Sequence, residues 1–139
     1  MATYRYLLDT NVLSEPARKN PNETLIGRLR GEEARCVTAS PVWHELIFGV
    51  HRLPEGKRRS YLSDYLSTVV RPAFPILSYE EEAAYWHGRE RARLTAAGRS
   101  PSQTDGQIAA VAATRDLILV TRNVSDFEDF RDLHVENWF

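Results

Sequence analysis

Four carboxylates in this 139-residue chain stand where they could meet one ligand: Asp9, Glu45, Asp105 and Asp126. Carboxylates gathered in one pocket raise one another's pKa by repulsion, and a divalent cation relieves that repulsion. Ligation by oxygen alone favours Mg²⁺ or Mn²⁺ over zinc. A cation held in this way can polarise a phosphodiester and activate water, which is the chemistry of metal-dependent nucleases. The elements that carry the four acids decide whether they meet.

Asp9 and Asp126 each follow a predicted β-strand. Residues 3–8 are rich in aromatics and leucine and end at Asp9, while residues 117–120 are entirely apolar. Short runs of this kind predict strands. The carboxyl ends of parallel strands form the rim where open α/β sheets bind ligands. Asp126 alone is more typical of a cap than of a site residue, but its position after a strand favours a site.

Glu45 lies on a helix that we expect to begin at Ser40-Pro41, because serine is a good N-cap and proline is favoured in the first turn. At 100° per residue, Glu45 falls at the edge of the apolar arc and close to Arg52 in projection. Two interpretations stay open. Glu45 is either a site carboxylate or a boundary residue in a salt bridge with Arg52.

Asp105 lies at the start of another predicted helix. Thr104 and Gln107 match a capping box, which would put Asp105 at the first helical position. Asp105 projects into the apolar arc of this helix, whereas a carboxylate that only complements the helix dipole would face solvent. We therefore interpret it as a site residue. Gly106 weakens the helix opening, and we interpret it as room for another molecule to approach closely.

The rest of the chain alternates short strands with amphipathic helices. This alternation predicts an α/β fold with a mostly parallel sheet and helices on both faces. The expected strands are residues 3–8, 35–39, 74–77, 117–120 and 133–136. The expected helices are residues 22–29, 40–53, 55–70, 80–97 and 104–114. The sequence has no linker or repeat, so we expect one domain over residues 1–139.

The composition argues against several classes of protein for this chain. The net charge of −1 argues against a polybasic nucleic-acid coat. Sixteen of the eighteen basic residues are arginines, whose planar fork suits phosphate, although codon bias would produce the same excess. No apolar run reaches the ~18–20 residues of a membrane span. One cysteine and the lack of a signal-peptide pattern lead us to expect a cytoplasmic protein.

Two other kinds of active site are excluded, because each lacks one residue that its chemistry requires. An aspartyl-phosphate phosphatase needs a second acid two residues after Asp9, and that position is Asn11, which cannot donate a proton in that role. The pair His44-Glu45 is like the start of a zinc-protease motif, but its second histidine would have to stand at Phe48. The other histidines are scattered and are expected at surface or boundary positions: His51, His87 and His134.

Four segments of the chain resemble, in order, the motif regions of a PIN-domain ribonuclease: LLDTNVLSE, the Trp43–Leu46 helix start, SQTDGQIAAVA and LVTRNVSDF. More narrowly, the chain resembles the VapC-type toxins of bacterial toxin–antitoxin pairs. The resemblance implies a PIN-like three-layer sandwich, metal-dependent RNA cleavage and frequent homodimers. It also implies neutralisation by a small antitoxin protein whose tail covers the active site.

Carried over residue by residue, the resemblance implies a set of Mg²⁺ ligands, with Mn²⁺ as a possible substitute: Asp9, Glu45, Asp105 and Asp126. Asn11, Thr121 and Asn123 would be neighbouring polar residues that orient the carboxylates or water. The expected function is that of a Mg²⁺-dependent endoribonuclease toxin. The alternative is a non-catalytic RNA- or protein-binding module in which the same acids serve as caps and salt bridges.

Overall fold

Five short strands form one parallel sheet in the computed structural model, which describes residues 3–139. The strands are β1 (Tyr6–Leu8), β2 (Cys36–Ala39), β3 (Ile76–Leu77), β4 (Ile118–Val120) and β5 (Val135–Glu136). Their order in the sheet is β3-β2-β1-β4-β5. β1 is central, with Tyr6 opposite Cys36 on one side and Ile118 on the other. The predicted α/β class with a parallel sheet is confirmed.

Seven α-helical segments connect these strands within residues 3–139. They are α1 (Thr10–Ser14), α2 (Glu23–Glu32), α3 (Ser40–His51), α4 (Lys57–Tyr65), α5 (Arg71–Ala73), α6 (Glu81–Ala96) and α7 (Gln103–Thr114). A π-helical turn, Leu66–Val70, joins α4 to α5. Three 3₁₀ turns complete the set: Glu15–Ala17, Glu33–Arg35 and Val124–Phe127. None of the helices in this part of the chain has the length and apolar character of a membrane span.

The core lies on both faces of the central strands. Every residue of β1 and β2 is buried, which is typical of a parallel strand covered by helices on both sides. On α7 the buried side chains are consecutive from Ile108 to Ala112. Such a helix is enclosed by its neighbours, and its alanines permit close approach to the sheet and to α6. The end of α7 that carries Asp105 therefore has a well-defined position.

Two predicted helix caps are wrong. In α3 the predicted cap residue bonds to another part of the chain, and in α7 a different residue is the cap. α3 begins at Ser40, with Ala39 as the flanking residue, and the Ser40 hydroxyl accepts a hydrogen bond from the backbone N–H of Tyr79 at 3.3 Å. α7 begins at Gln103, and its cap is Ser102, whose hydroxyl accepts the Asp105 N–H at 3.0 Å. Asp105 is therefore the third helical residue.

The structure contradicts two further predictions, one for His87 and one for Gly106. His87 is buried, with 6% of its surface exposed, rather than a surface or boundary residue. Its imidazole fills the space beside Gly106, where an added Cβ would lie 2.1 Å from Nε2. The room above Gly106 is therefore occupied by the protein's own side chain and is not open to an RNA or another protein.

Candidate active site

A cavity of about 570 Å³ lies beside the residues that follow β1 and β4. Three of the four predicted carboxylates line it: Asp9, Glu45 and Asp105. Most of the remaining lining is neutral and polar: Thr10, Asn11, Ser14, Ser102, Thr104 and Asn123. We call this space the carboxylate cavity. Its acids come from the end of β1, from α3 and from α7, so the fold brings together positions far apart in the chain.

Asp9 is held in place by two hydrogen bonds. Its Oδ1 accepts the backbone N–H of Thr10 at 2.8 Å, and its Oδ2 accepts the hydroxyl of Thr121 at 2.8 Å. Only 7% of its surface is exposed. Burial raises the pKa of Asp9 most, the charge of Asp126 raises it further, and the hydrogen bonds from Thr10 and Thr121 act in the opposite direction. The carboxylate is thus fixed in orientation but poorly compensated in charge.

Thr121 is the centre of the polar network behind Asp9. Its hydroxyl oxygen accepts hydrogen bonds from the Asn11 side-chain amide at 3.2 Å and from the backbone N–H of Asn123 at 3.1 Å. Asn11 Oδ1 in turn accepts the Arg122 N–H at 2.9 Å. Asn11, Thr121 and Asn123, the three predicted orienting residues, therefore lie in one connected set that joins the ends of β1 and β4.

Asp105 is half-buried at the first turn of α7. Burial raises its pKa most, and the charges of Asp9, Asp126 and Glu45 raise it further, against a hydrogen bond with Ser102 that lowers it. Like charges repel most strongly at short range in a partly buried site. Asp105 and two of these acids, Asp9 and Glu45, line the same cavity although none is a neighbour of another in sequence.

Glu45 faces the carboxylate cavity. Its Oε1 accepts a long hydrogen bond from the Thr104 hydroxyl at 3.4 Å, which connects α3 to α7. The alternative interpretation, a salt bridge to Arg52, is wrong. The Arg52 guanidinium instead lies 5.6 Å from the centre of the Phe48 ring. Glu45 is therefore available to the cavity.

Asp126 takes a more distant position. It is exposed on the 3₁₀ turn after β4 and does not line the carboxylate cavity, but its charge raises the pKa of both Asp9 and Asp105. Its backbone N–H donates to the carbonyl of Asn123 at 3.1 Å. The turn thus holds Asp126 at the margin of the acidic region.

The donor set fits a hard divalent cation. Carboxylate, hydroxyl and amide oxygens dominate the cavity, and these are the ligands that Mg²⁺ prefers. Within residues 3–139, no three acidic, histidine or cysteine side chains stand in a ready-made ligand cluster. Mg²⁺ commonly takes only one or two protein carboxylates and keeps several waters, so this looser arrangement suits Mg²⁺ better than a fully protein-ligated ion.

Sequence reasoning missed the contributions of four hydroxyl-bearing residues. Thr10, Ser14 and Ser102 line the cavity, and Thr104 both lines it and contacts Glu45. A signal for Ser102 was present, since Ser102 and Asp105 have the same three-residue spacing as a capping box. Thr104 has that spacing to Gln107, and the structure shows that Ser102 is the cap that forms.

Known proteins resemble this chain at the levels of family and sequence. The PIN domain family model matches residues 6–133. The chain is 35% identical to Toxin FitB of Neisseria gonorrhoeae over 87% of this chain and 89% of that protein. It is 31% identical to Ribonuclease VapC2 of Haemophilus influenzae over 96% and 98% of the two chains.

A solved structure extends the match to three dimensions. The structure of FitAcB from Neisseria gonorrhoeae superposes with a TM-score of 0.84 at 33% identity, covering 95% of this chain and 96% of that one. Family model, relatives and fold thus lead to one assignment. The chain belongs to the PIN-domain family and, within it, to the group of VapC-type toxins.

Proposed function

We propose that this chain is a Mg²⁺-dependent endoribonuclease and the toxin of a toxin–antitoxin pair. The observation that supports it most is that Asp9, Glu45 and Asp105 line one cavity, where burial and the charges of Asp9, Asp126 and Glu45 raise the pKa of Asp105. Uncompensated acids gathered in one place favour a divalent cation. The name of the Haemophilus influenzae relative, Ribonuclease VapC2, supports RNA as the substrate.

The proposed ligands are Asp9, Glu45, Asp105 and Asp126, with Mn²⁺ as a possible substitute for Mg²⁺. When bound, the cation supplies positive charge that stabilises a phosphodiester under attack and lowers the pKa of water. The chain's own contribution is orientation. Thr121 holds Oδ2 of Asp9 while the Thr10 N–H holds Oδ1, so the carboxylate is presented in one geometry. Such fixed geometry reduces the reorganisation that the reaction requires.

Single-stranded or loop RNA is the proposed substrate. The carboxylate cavity is lined mostly by residues of loops and helix starts, and a splayed single-stranded backbone can present a phosphate there more readily than a regular duplex. A small antitoxin protein that covers the cavity and a homodimeric state are parts of the same proposal. The antitoxin is supported by the likeness to a solved member of the VapBC family of toxin–antitoxin systems, VapBC-5 from Mycobacterium tuberculosis, and the dimer rests on family resemblance.

The test is cleavage of a structured RNA by the purified chain with Mg²⁺, with EDTA, and with Mg²⁺ restored in excess. We expect cleavage within single-stranded regions, its loss in EDTA and its recovery with Mg²⁺. Undiminished cleavage in EDTA would contradict the metal-dependent mechanism. Binding of RNA without cleavage under all three conditions would favour the non-catalytic module.

The toxin assignment has a separate test in growing cells. Induced expression of the chain alone should slow growth, whereas Asp9→Asn, expressed to the same level, should not. Equal growth of the two cultures at equal protein levels would refute toxicity through this site without bearing on cleavage in vitro.

A further inference from the structure

A second cavity, of about 310 Å³, lies directly beside the carboxylate cavity. The two cavities share Glu45 and Thr104, whose hydrogen bond forms part of the boundary between them. The other residues that line the second cavity are Ser40, Pro41, His44, Tyr79 and Gln107. We call this space the side pocket. A group bound there would be next to any phosphate that lies in the carboxylate cavity.

The wall formed by Tyr79 is fixed from two directions. Its backbone N–H donates to the Ser40 hydroxyl at 3.3 Å, and its phenol oxygen is 3.1 Å from Nδ1 of His87. His87 is in turn buried against Gly106. The Tyr79 ring is therefore held in position before any ligand arrives, which lowers the entropic cost of binding.

The lining of the side pocket suits a nucleobase better than a phosphate. No arginine or lysine is among the described residues that line it, and its only carboxylate is Glu45. The hydrogen bonds along this wall involve Ser40, Tyr79 and Thr104, and none of them engages Gln107. A primary amide carries both donors and an acceptor, so Gln107 can bond the edge of a base.

The size of the side pocket agrees with one nucleoside. Ligand pockets start at roughly 300 Å³, and the lining includes two aromatic side chains, Tyr79 and His44, of the kind on which unpaired bases stack. Recognition of single-stranded RNA commonly combines such stacking with hydrogen bonds to base edges.

We propose that the side pocket binds the base of a nucleotide adjacent to the scissile phosphate, and that Gln107 reads the edge of that base. This inference rests on the proposed ribonuclease function. It explains how such an enzyme would prefer one RNA sequence over another. The pocket selects by hydrogen bonding and stacking, while the carboxylate cavity acts on the backbone. The two contributions can be separated by experiment.

The first experiment measures cleavage of a single-stranded RNA set that is randomised around the cleavage site. Wild-type protein should prefer one base at an adjacent position. Gln107→Ala should cut the preferred sequence about tenfold more slowly, the effect of one lost hydrogen bond, and should cut the others at similar rates. The matched control is Gln103→Ala, an exposed glutamine on the same helix outside both cavities, which should keep the preference. An unchanged or uniformly scaled preference in Gln107→Ala would overturn the proposal.

The second experiment does not require cleavage. Wild-type protein in EDTA is titrated with AMP, GMP, CMP and UMP while NMR follows the Gln107 side-chain amide, with ribose 5-phosphate as the probe that lacks a base. At least one mononucleotide should shift the Gln107 amide, and ribose 5-phosphate should not. No shift with any mononucleotide, or equal shifts with ribose 5-phosphate, would overturn base binding. Base-dependent shifts in a protein that never cleaves RNA would instead refute the ribonuclease function and leave the pocket assignment standing.

Discussion

His87 and Gly106 form the contact that sets α6 against the first turn of α7. A Cβ added to Gly106 would lie 2.1 Å from Nε2 and 2.7 Å from Cδ2 of His87. The opposite ring nitrogen, Nδ1, is 3.1 Å from the Tyr79 hydroxyl. Because the imidazole is held on both sides, the backbone of Gly106 is set at one distance from α6. The next residue toward the N-terminus is Asp105, so this contact also positions a site carboxylate.

Gly106→Ala is expected to destabilise the protein. In an open helix this change stabilises by up to about 1 kcal/mol, but here the overlap with His87 should reverse the sign. We expect a loss of about 1–3 kcal/mol in the free energy of unfolding, as for other overpacked sites. Urea unfolding followed by circular dichroism measures it.

The double variant His87→Ala/Gly106→Ala is the control. Removing the ring should remove the clash, so the two changes together should cost less than their sum by at least about 1 kcal/mol. Strict additivity would show that Gly106 is not needed for the fit to His87.

Asp105→Asn is expected to stabilise the protein in EDTA. Burial and neighbouring charges raise the pKa of Asp105 above its ordinary value of 3.8, so its ionised form costs stability. That cost is absent below the ordinary value and grows as the pH rises through the raised pKa. At neutral pH the neutral amide avoids it, and thermal unfolding should occur at a higher temperature than in wild type.

Addition of Mg²⁺ should make wild type more stable than Asp105→Asn. At about a hundred times its Kd, a ligand that binds only the folded state stabilises it by about 2.7 kcal/mol. Wild type should gain this stabilisation, and Asp105→Asn should gain much less. An equal gain in the two proteins would exclude Asp105 as a ligand.

Thr121→Val tests the orientation of Asp9. The buried hydroxyl donates to Asp9 and accepts from Asn11 and from the Asn123 N–H, so its loss leaves partners unpaired at a cost of about 1–3 kcal/mol. RNA cleavage should fall about 10- to 100-fold, as for other residues that orient metal ligands.

A second buried threonine provides the matched control for Thr121→Val. Thr38 on β2 donates its hydroxyl to the Leu8 carbonyl at 2.9 Å, so Thr38→Val loses a buried hydrogen bond without touching a carboxylate. It should reduce stability but keep cleavage near the wild-type rate. Similar losses of activity in both variants would mean that stability, rather than the orientation of Asp9, controls the rate.

Glu90→Gln tests a buried ion pair on the far part of α6. Glu90 accepts two hydrogen bonds from the Arg93 guanidinium, at 2.8 and 2.9 Å, and one from the Arg131 N–H at 2.8 Å. The bonds from Arg93 are the main reason that the pKa of Glu90 is lowered. We expect the substitution to cost about 1–2 kcal/mol at pH 7, measured by denaturant unfolding.

The cost of Glu90→Gln should depend on pH. A lowered carboxyl pKa stabilises the fold fully above the ordinary value of 4.5, and the benefit is lost as the pH falls through the folded-state pKa. The gap between wild type and variant should therefore shrink in acid. Glu82→Gln, which changes an exposed residue of the same helix, should show a small gap at every pH. A Glu90→Gln gap that stays constant down to acid would contradict the ion pair.

The strand and helix order was predictable because each element carries its own pattern. Leu119 and Val120 lie in a wholly apolar run bounded by turn-forming residues, and such runs predict buried parallel strands. The position of Asp9 was predictable for the same reason, because a residue at the carboxyl end of a parallel strand lies at the rim of the sheet. Local patterns are enough where the deciding interactions are local.

Long-range contacts account for the errors. Ser40 has the chemistry of a cap, but its hydroxyl accepts a hydrogen bond from Tyr79, which lies 39 residues away. His87 lies on an exposed-looking stretch of helix, and only packing against Gly106 makes it buried. Glu45 could not be assigned from its own helix, because its partner, Thr104, is on another. No sequence period encodes such pairings.

The most direct test of the central claim is the rate at which Asp105→Asn cleaves single-stranded RNA with saturating Mg²⁺. The matched control is Asp116→Asn at the other end of α7, where the positive φ of 55° is one that asparagine adopts readily. If the four acids hold the cation, Asp105→Asn should lose at least about a hundredfold in rate, while Asp116→Asn should match wild type. Equal rates for Asp105→Asn and wild type would contradict the account.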